Sequence, residues 1–291
     1  MPFAQSLTTV DETTGLPFVF LLLVVAAAGA IIGSFLNVVI HRLPLGESVV
    51  FPHSRCPSCG AGIRPYDNLP VVSWLALRGR CRACRAPISA RYPAVELLTA
   101  ALFALTFWAR SGLTPALPFD LAFVAALLAL VFIDAEHMYL PNVINYPGTA
   151  LAFVARLVVP NLYGVGFLCA AGGCPPERLL SLLNALLGAL AGGGFLWLVG
   201  WLWQRARGEE GMGLGDVKMM FMVGAYLGWP LALLTIFIGV LSGSLVGVGL
   251  IAAGRGHLKS RLPFGIYLGL GAYVCLLYGQ TLVNWYVSKF P

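Results

Sequence analysis

Residues 16–40 read LPFVFLLLVVAAAGAIIGSFLNVVI, an apolar run without a charged residue that is long enough to cross a bilayer. The whole chain of 291 residues is 59% hydrophobic and only 10% charged, whereas a soluble domain has about 25% charged residues. This composition excludes a soluble globular protein and predicts an all-α polytopic membrane protein. Because Asp11 and Glu12 precede the run in place of basic residues, we expect it to be an anchor and not a cleavable signal.

Further apolar segments bring the prediction to about eight transmembrane helices. Asn142, Asn145 and Pro147 interrupt the fourth of them, and Pro230 closes the sixth, so these two are the weakest. We divide the chain into the N-terminus with the first span at 1–40, a polar insert at 41–93, and a membrane core at 94–291. After the first span, the predicted spans lie at 94–110, 119–135, 142–160, 179–203, 214–228, 230–254 and 264–287.

The basic residues predict how these spans are oriented. With the N-terminus outside, all but Arg110, Arg156, Arg178 and Lys289 of the 18 Lys and Arg residues lie in inward-facing segments. This asymmetry follows the positive-inside rule and predicts that both termini face outward. The net charge of +6 is therefore a sign of membrane topology, and we expect the chain to contact lipid and to bind no nucleic acid.

The insert at 41–93 contains two C-x-x-C motifs with 21 residues between them. Two such motifs can supply four thiolates to one tetrahedral ion, and zinc is the metal that we expect. Redox-active or unrelated cysteines are the alternative, but a cytoplasmic domain this small needs a metal or a disulfide to fold. Four thiolates leave no open coordination position, so the zinc would be structural. The predicted ligands are Cys56, Cys59, Cys81 and Cys84.

Residues 211–220, GMGLGDVKMM, bring one carboxylate, that of Asp216, to the start of an apolar segment. Asp216 could merely cap a helix N-terminus, which Asp does well. Asp134, however, ends another apolar run, and a helix C-terminus disfavours a negative charge. Two acids at one membrane edge therefore predict acid–base catalysis by Asp134 and Asp216. We expect Gly213 and Gly215 to let a substrate backbone approach closely.

Two other classes of protein stay open on the residues alone. A proton-coupled transporter would use intramembrane carboxylates, but it predicts acids near the midplane and paired halves. A non-enzymatic scaffold docking partners through its zinc domain would leave the paired acids unexplained. His137 is left out of the catalytic pair, since an interfacial histidine is more often a surface residue, and the roles of Glu136 and Lys218 stay open. Cys169 and Cys174, in a loop expected outside, could form a disulfide.

Several longer motifs resemble one known family. The chain is similar to the bacterial type IV prepilin peptidases, also called leader peptidase/N-methyltransferases, which belong to the GxGD class of membrane aspartic proteases. The resemblance covers most of the chain, and the GxGD motif gains specificity from the others that accompany it. It rests on GSFLNVVIHRLP at 33–44, CPSC and CRAC in the insert, ISARYPAVE at 88–96, DAEHMYLPN at 134–142 and GMGLGDVK at 211–218.

The resemblance implies both a reaction and a location. Such enzymes, in the bacterial inner membrane, cut the basic leader from prepilins and pseudopilins at the cytoplasmic face. They then methylate the new N-terminal amine with S-adenosylmethionine. Asp134 and Asp216 match the family's catalytic pair. No residue of the methyl-donor site is predicted, because the chain has no dinucleotide-type fingerprint. The sequence also names neither the particular pilin nor an oligomeric state.

Overall fold

A computed structural model of the chain describes residues 10–11, 14–51, 54–160, 162–163, 176–209, 211–255 and 262–289. These residues form helices joined by turns, with three isolated β-bridges and no strand among them. The predicted all-α fold is therefore confirmed. The helices are α1 (Phe18–Arg42), α2 (Val72–Ala76), α3 (Arg91–Ala109), α4 (Leu117–His137), α5 (Asn142–Val158), α6 (Glu177–Ala189), α7 (Phe195–Arg207), α8 (Leu214–Leu227), α9 (Trp229–Ala252) and α10 (Phe264–Val287).

Six helical segments in the described part of the chain are long and apolar enough to cross a membrane. The protein is thus a multi-pass membrane protein. The two segments that the sequence marked as weakest are helical too, but α5 has 17 residues and α8 has 14. Both are shorter than a typical transmembrane helix of about 20 residues, so the total of eight spans stays a prediction. The six segments are Phe18–Leu45, Arg91–Ala109, Leu117–His137, Glu177–Arg207, Trp229–Ala252 and Phe264–Val287.

The chain divides into two compact units, Met1–Ala129 and Leu130–Pro291. The division falls within α4, so it differs from the boundaries at 41 and 94 that the sequence suggested; those boundaries stay a prediction. Cys169 and Cys174 lie outside the described residues, and their disulfide also stays a prediction.

In the first unit, α1 packs closely against α3 through two glycines spaced four residues apart. A Cβ at Gly29 would lie 2.8 Å from the Cα of Ala100, and one at Gly33 would lie 2.8 Å from the Cα of Glu96. Small residues at this spacing let two membrane helices approach until their backbones touch. The Glu96 carboxylate accepts a 2.7 Å hydrogen bond from the Val71 amide, which fastens the insert to the end of this helix pair.

In the second unit, α8 is buried on nearly all sides. It touches α6 where Gly188 and Gly224 face each other, because a Cβ on either would overlap the carbonyl oxygen of the other. Beyond Gly188, the helix widens into a π-helical turn at Leu190–Gly194 before α7 begins. On another side, Gly148 of α5 leaves room for the sulfur of Met222. The packing of small residues thus fixes the place of the helix that begins beside Asp216.

Candidate active site and metal centre

Asp134 lies in the last turn of α4, where the chain is about to leave the helix. Its carbonyl oxygen accepts a 2.9 Å hydrogen bond from the amide of Met138, which has a left-handed backbone with φ of 49°. This turn ends α4 at His137, and a four-residue connection leads to α5. The Asp134 side chain is only 5% exposed. The sequence therefore places a buried acid at a helix C-terminus, where the dipole does not favour its charge.

Asp216 lies in the first turn of α8, and Gly213 is the residue at its N-cap position. The Asp216 amide donates a 3.1 Å hydrogen bond to the Gly213 carbonyl oxygen. A Cβ at Gly213 would lie 3.3 Å from Oδ2 of Asp216, so the carboxylate lies over the glycine. Asp216 is thus the third residue of α8 and not its N-cap, although a negative charge in the first turn suits the helix dipole.

The structure brings Asp134 and Asp216 together within the second unit. The two carboxyl groups are close enough for the charge of one to act on the other, although 81 residues separate them in the chain. Two neighbouring carboxyls in a partly dehydrated site can share one proton, because ionising both is costly. The arrangement can therefore supply one proton acceptor and one proton donor.

A third helix end meets the Asp134 carboxylate, and sequence reasoning missed it. The backbone amides of Gly265 and Ile266, in the first turn of α10, approach the carboxylate closely enough to interact with it. Oδ2 of Asp134 has no hydrogen-bond partner in the part of the chain that the structure describes. The sequence feature that could have indicated this contact is Pro263-Phe264-Gly265. Proline before a helix marks the helix start, and glycine in the first turn indicates that another group approaches closely there.

The glycines before Asp216 lie close to other side chains of this protein. A Cβ at Gly211 would overlap the indole ring of Trp203 at the end of α7, and one at Gly215 would lie 3.0 Å from Cβ of Leu140. Gly213 is exposed, and its nearest neighbour is Asp216. The space beside Gly215 is thus filled by Leu140 of the connection after α4.

Three ionisable residues near the two acids in the sequence make contacts of their own. The Lys218 Nζ donates a 3.0 Å hydrogen bond to Oδ1 of Asn142 and lies 5.6 Å from the centre of the Tyr146 ring. It therefore ties the beginning of α8 to the beginning of α5. The Nε2 atom of His137 lies 3.9 Å from the Glu136 carboxylate. Their roles in chemistry stay open.

The four predicted cysteine ligands converge in the insert. The Sγ atoms of Cys56, Cys59, Cys81 and Cys84 all lie within 4.8 Å of one another, a spacing that one tetrahedral ion with metal–sulfur bonds of about 2.3 Å can bridge. Amides of Cys59 and Ser58 point at the sulfur of Cys56 and lower the pKa of that thiol to about 6. The pKa of the Cys84 thiol is instead raised to about 11. Because thiolate is the binding form, the cluster could hold a metal ion whose binding displaces the remaining thiol protons.

The two C-x-x-C motifs fold into the same turn. The Cys56 amide donates to Ala61 and the Cys81 amide donates to Ala86, in both cases at 2.9 Å. The residue after each motif has a left-handed backbone, with φ of 72° at Gly60 and 61° at Arg85. Equivalent turns present their sulfur atoms in equivalent ways, which explains why distant cysteines meet at one point.

An ion pair joins the second turn to the segment between the motifs. Arg82 binds the Asp67 carboxylate with two nitrogens, at 2.8 Å from Nε and 2.6 Å from Nη2. This fork holds the pKa of Asp67 below its usual value. The geometry is the planar, two-point contact that Arg can make and Lys cannot.

Comparisons with known proteins show the family of the chain. Residues 27–110 match the model of the bacterial peptidase A24 N-terminal domain, and residues 121–248 match that of the type IV leader peptidase family. A protein of Aeromonas hydrophila named prepilin leader peptidase/N-methyltransferase is 37% identical over 95% of this chain and 97% of its own length. The chain belongs to the type IV leader peptidase family. No solved structure matches this family member.

Other relatives in the type IV leader peptidase family carry the same name. One from Pseudomonas aeruginosa is 36% identical over 96% of this chain and 97% of its own length. One from Burkholderia pseudomallei is 38% identical over 86% of this chain and 83% of its own length. In this family member, the peptidase match at 121–248 includes Asp134 and Asp216 but ends before α10. The contact with Gly265 thus lies beyond the matched domain.

Proposed function

We propose that this chain is a membrane aspartic endopeptidase that removes the basic leader of type IV prepilins or pseudopilins and then methylates the new N-terminus. The observation that carries the proposal is the pair Asp134 and Asp216, whose carboxyl groups interact at the ends of two helices. Family membership supports it, because relatives over nearly the whole chain are named prepilin leader peptidase/N-methyltransferase. Prepilin leader peptidase activity implies prepilin substrates in the membrane.

The chemistry follows from two carboxyl groups that share one proton. The ionised carboxylate takes a proton from a water molecule as the water oxygen bonds to the scissile carbonyl carbon. The protonated partner gives its proton to the carbonyl oxygen, which yields a tetrahedral intermediate. When this intermediate collapses, the C–N bond breaks and a proton passes to the leaving amine. No acyl-enzyme forms, because water is the nucleophile.

We place this reaction at the cytoplasmic face of the bacterial inner membrane, with the N-terminus of the enzyme outside. The asymmetry of Lys and Arg supports this orientation. A precursor helix lying in the bilayer would then present its leader junction at the level of Asp134 and Asp216. Gly213, which is exposed beside Asp216, suits the approach of a substrate backbone. Gly215 would support this approach indirectly, by leaving room for Leu140 next to the site.

Methyl transfer is the second half of the proposal. The names of the relatives support it, and S-adenosylmethionine is the donor that this chemistry implies. The amine freed by cleavage would attack the donor's methyl group, and S-adenosylhomocysteine would leave. No residue is assigned to the donor site.

We further propose that the metal of the insert at 41–93 is a structural zinc ion, held by Cys56, Cys59, Cys81 and Cys84. The donor set supports this choice, since zinc favours four thiolates in a tetrahedral arrangement. An ion with four protein ligands has no position for water or substrate. The zinc would therefore hold the insert folded and take no part in cleavage.

Cleavage of a prepilin by purified variants in matched detergent tests the function. We expect Asp134→Asn, Asp216→Asn and the double variant to lose cleavage equally, because residues that act as a unit are not additive. Glu177→Gln, an exposed acid at the start of α6, is the control and should match the wild type. Near-normal turnover in either single variant would refute the catalytic pair. It would leave Asp216 as a first-turn acid that contributes up to about 1 kcal/mol through the helix dipole, and it would reopen the transporter and scaffold alternatives.

A further inference from the structure

The N-terminus of α10 lacks a cap of its own. Its N-cap residue is Pro263, whose side chain makes no capping hydrogen bond. The first amides of a helix have no partner within the helix and need an acceptor from elsewhere. The Asp134 carboxylate of α4 faces the Gly265 and Ile266 amides. A carboxylate from another helix therefore lies at the position where a local Ser or Asp usually stands.

This contact leaves no room for a side chain at residue 265. A Cβ there would lie 2.8 Å from Oδ2 of Asp134 and 3.1 Å from its Cγ. Gly265 is not one of the glycines with a positive φ, so its backbone conformation does not require glycine. In a helix, glycine costs up to about 1 kcal/mol relative to alanine. The reason for glycine here is therefore the space that the carboxylate occupies.

One turn further along α10, Gly269 also faces α4, but there it meets an apolar side chain and not the Asp134 carboxylate. A Cβ at Gly269 would overlap Cγ2 of Val131, which is an apolar contact. Both glycines thus set the distance between α4 and α10. Only Gly265 touches the carboxylate.

We propose that Gly265 is a positioning residue for the reaction: it seats the Asp134 carboxylate against the first amides of α10. This inference rests on the proposed function. The amides fix the carboxylate from one side and favour its ionised form. Oδ2, the carboxylate oxygen nearest to a Cβ at residue 265, is buried and has no hydrogen-bond partner among the described residues, so its position depends on how closely α10 approaches. The titratable group that faces Asp134 across the described part of the second unit is Asp216, from α8.

The test compares Gly265→Ala with Gly269→Ala in the full chain, with prepilin as substrate. We expect Gly265→Ala to lower kcat at least about tenfold with KM nearly unchanged, because a displacement of an ångström or less is costly in catalysis. The acidic limb of its pH–rate profile should move to higher pH, since the amide donors no longer favour the ionised carboxylate. Gly269→Ala should lower thermal stability but keep the pH profile of the wild type.

Wild-type kcat and pH profile in Gly265→Ala would overturn the inference, and so would an equal shift in Gly269→Ala. If Gly265→Ala does not fold, hydrogen exchange of the amides at the start of α10 gives an independent answer. These amides should exchange faster in Asp134→Ala than in the wild type, and unchanged rates would refute the contact. A cleaving Asp134→Asn variant would instead refute the proposed function, so the two failures can be told apart.

Discussion

Arg156 donates a 2.7 Å hydrogen bond from Nη2 to the carbonyl oxygen of Tyr226, in the last turn of α8. The guanidinium is fully buried, and its Nε also reaches the Ala225 carbonyl at 3.4 Å. Its Nη1 donates to the carbonyls of Leu162 and Tyr163 at 3.1 and 2.8 Å. A cation here satisfies carbonyls that a helix C-terminus leaves without partners. The helix that begins beside Asp216 is thus held at its other end by an arginine.

Arg156→Met should destabilise the protein by about 3 kcal/mol, because buried carbonyls lose a charged donor and find no water. Thermal unfolding in matched detergent measures the change. Arg178→Met removes an exposed arginine from α6 and should have almost no effect, as surface substitutions usually do. Equal stability of the two variants would show that Arg156 does not hold the end of α8.

The crossing of α6 and α8 gives a second prediction. Gly188→Ala should destabilise the protein by about 2 kcal/mol, because the added methyl group overlaps the Gly224 carbonyl and overpacking is costly. Gly194→Ala is the matched control, since a Cβ at Gly194 meets nothing within 4 Å. Unfolding temperatures of both variants measure the difference. A tolerated alanine at Gly188 would mean that the two helices can separate without cost.

The metal centre gives a third prediction. Purified protein should contain one zinc ion per chain, and Cys56→Ser with Cys81→Ser should abolish binding, since two ligands cannot hold a structural ion. Elemental analysis measures the metal, and limited proteolysis measures the folding of the insert. Cys275→Ala, a buried cysteine in α10, should keep the zinc. Metal that persists in the double variant would show that the ligands lie elsewhere.

The two equivalent turns give a fourth prediction, in which one substitution stabilises its turn and the other destabilises its turn. Arg85→Gly should stabilise the second turn by about 1 kcal/mol, because a left-handed backbone is strained in every residue with a Cβ. Gly60→Ala should destabilise the first turn by a similar amount, as nothing lies within 4 Å of its Cβ and only strain is added. Arg85→Ala separates the loss of the side chain from the relief of strain.

Hydrogen exchange of the amides at residues 60 and 85 measures these changes, since both donate back to the first cysteine of their motif. A stabilising Gly60→Ala, or an Arg85→Gly no more stable than Arg85→Ala, would contradict the prediction.

Several features of the candidate site could be predicted because they depend on local chemistry. A C-x-x-C motif carries its ligands on one turn, and two such turns have few ways to satisfy a metal, so the four cysteines could be named. Asp134 and Asp216 each stand at the edge of an apolar run. The contact of Gly265 with Asp134 could not be predicted, because 130 residues separate them and no period in the sequence encodes which helix ends meet.

The sequence by itself determined an all-α membrane protein, a four-cysteine cluster and the two acids, because hydrophobic length and residue chemistry are properties of short segments. Only the tertiary structure decided that α8, a helix of 14 residues, is buried among its neighbours. It also decided that Leu140 fills the space beside Gly215 and that Arg156 binds the end of α8. Such contacts depend on how closely distant helices approach. That distance is set by the volumes of the side chains on both surfaces together, which no single segment contains.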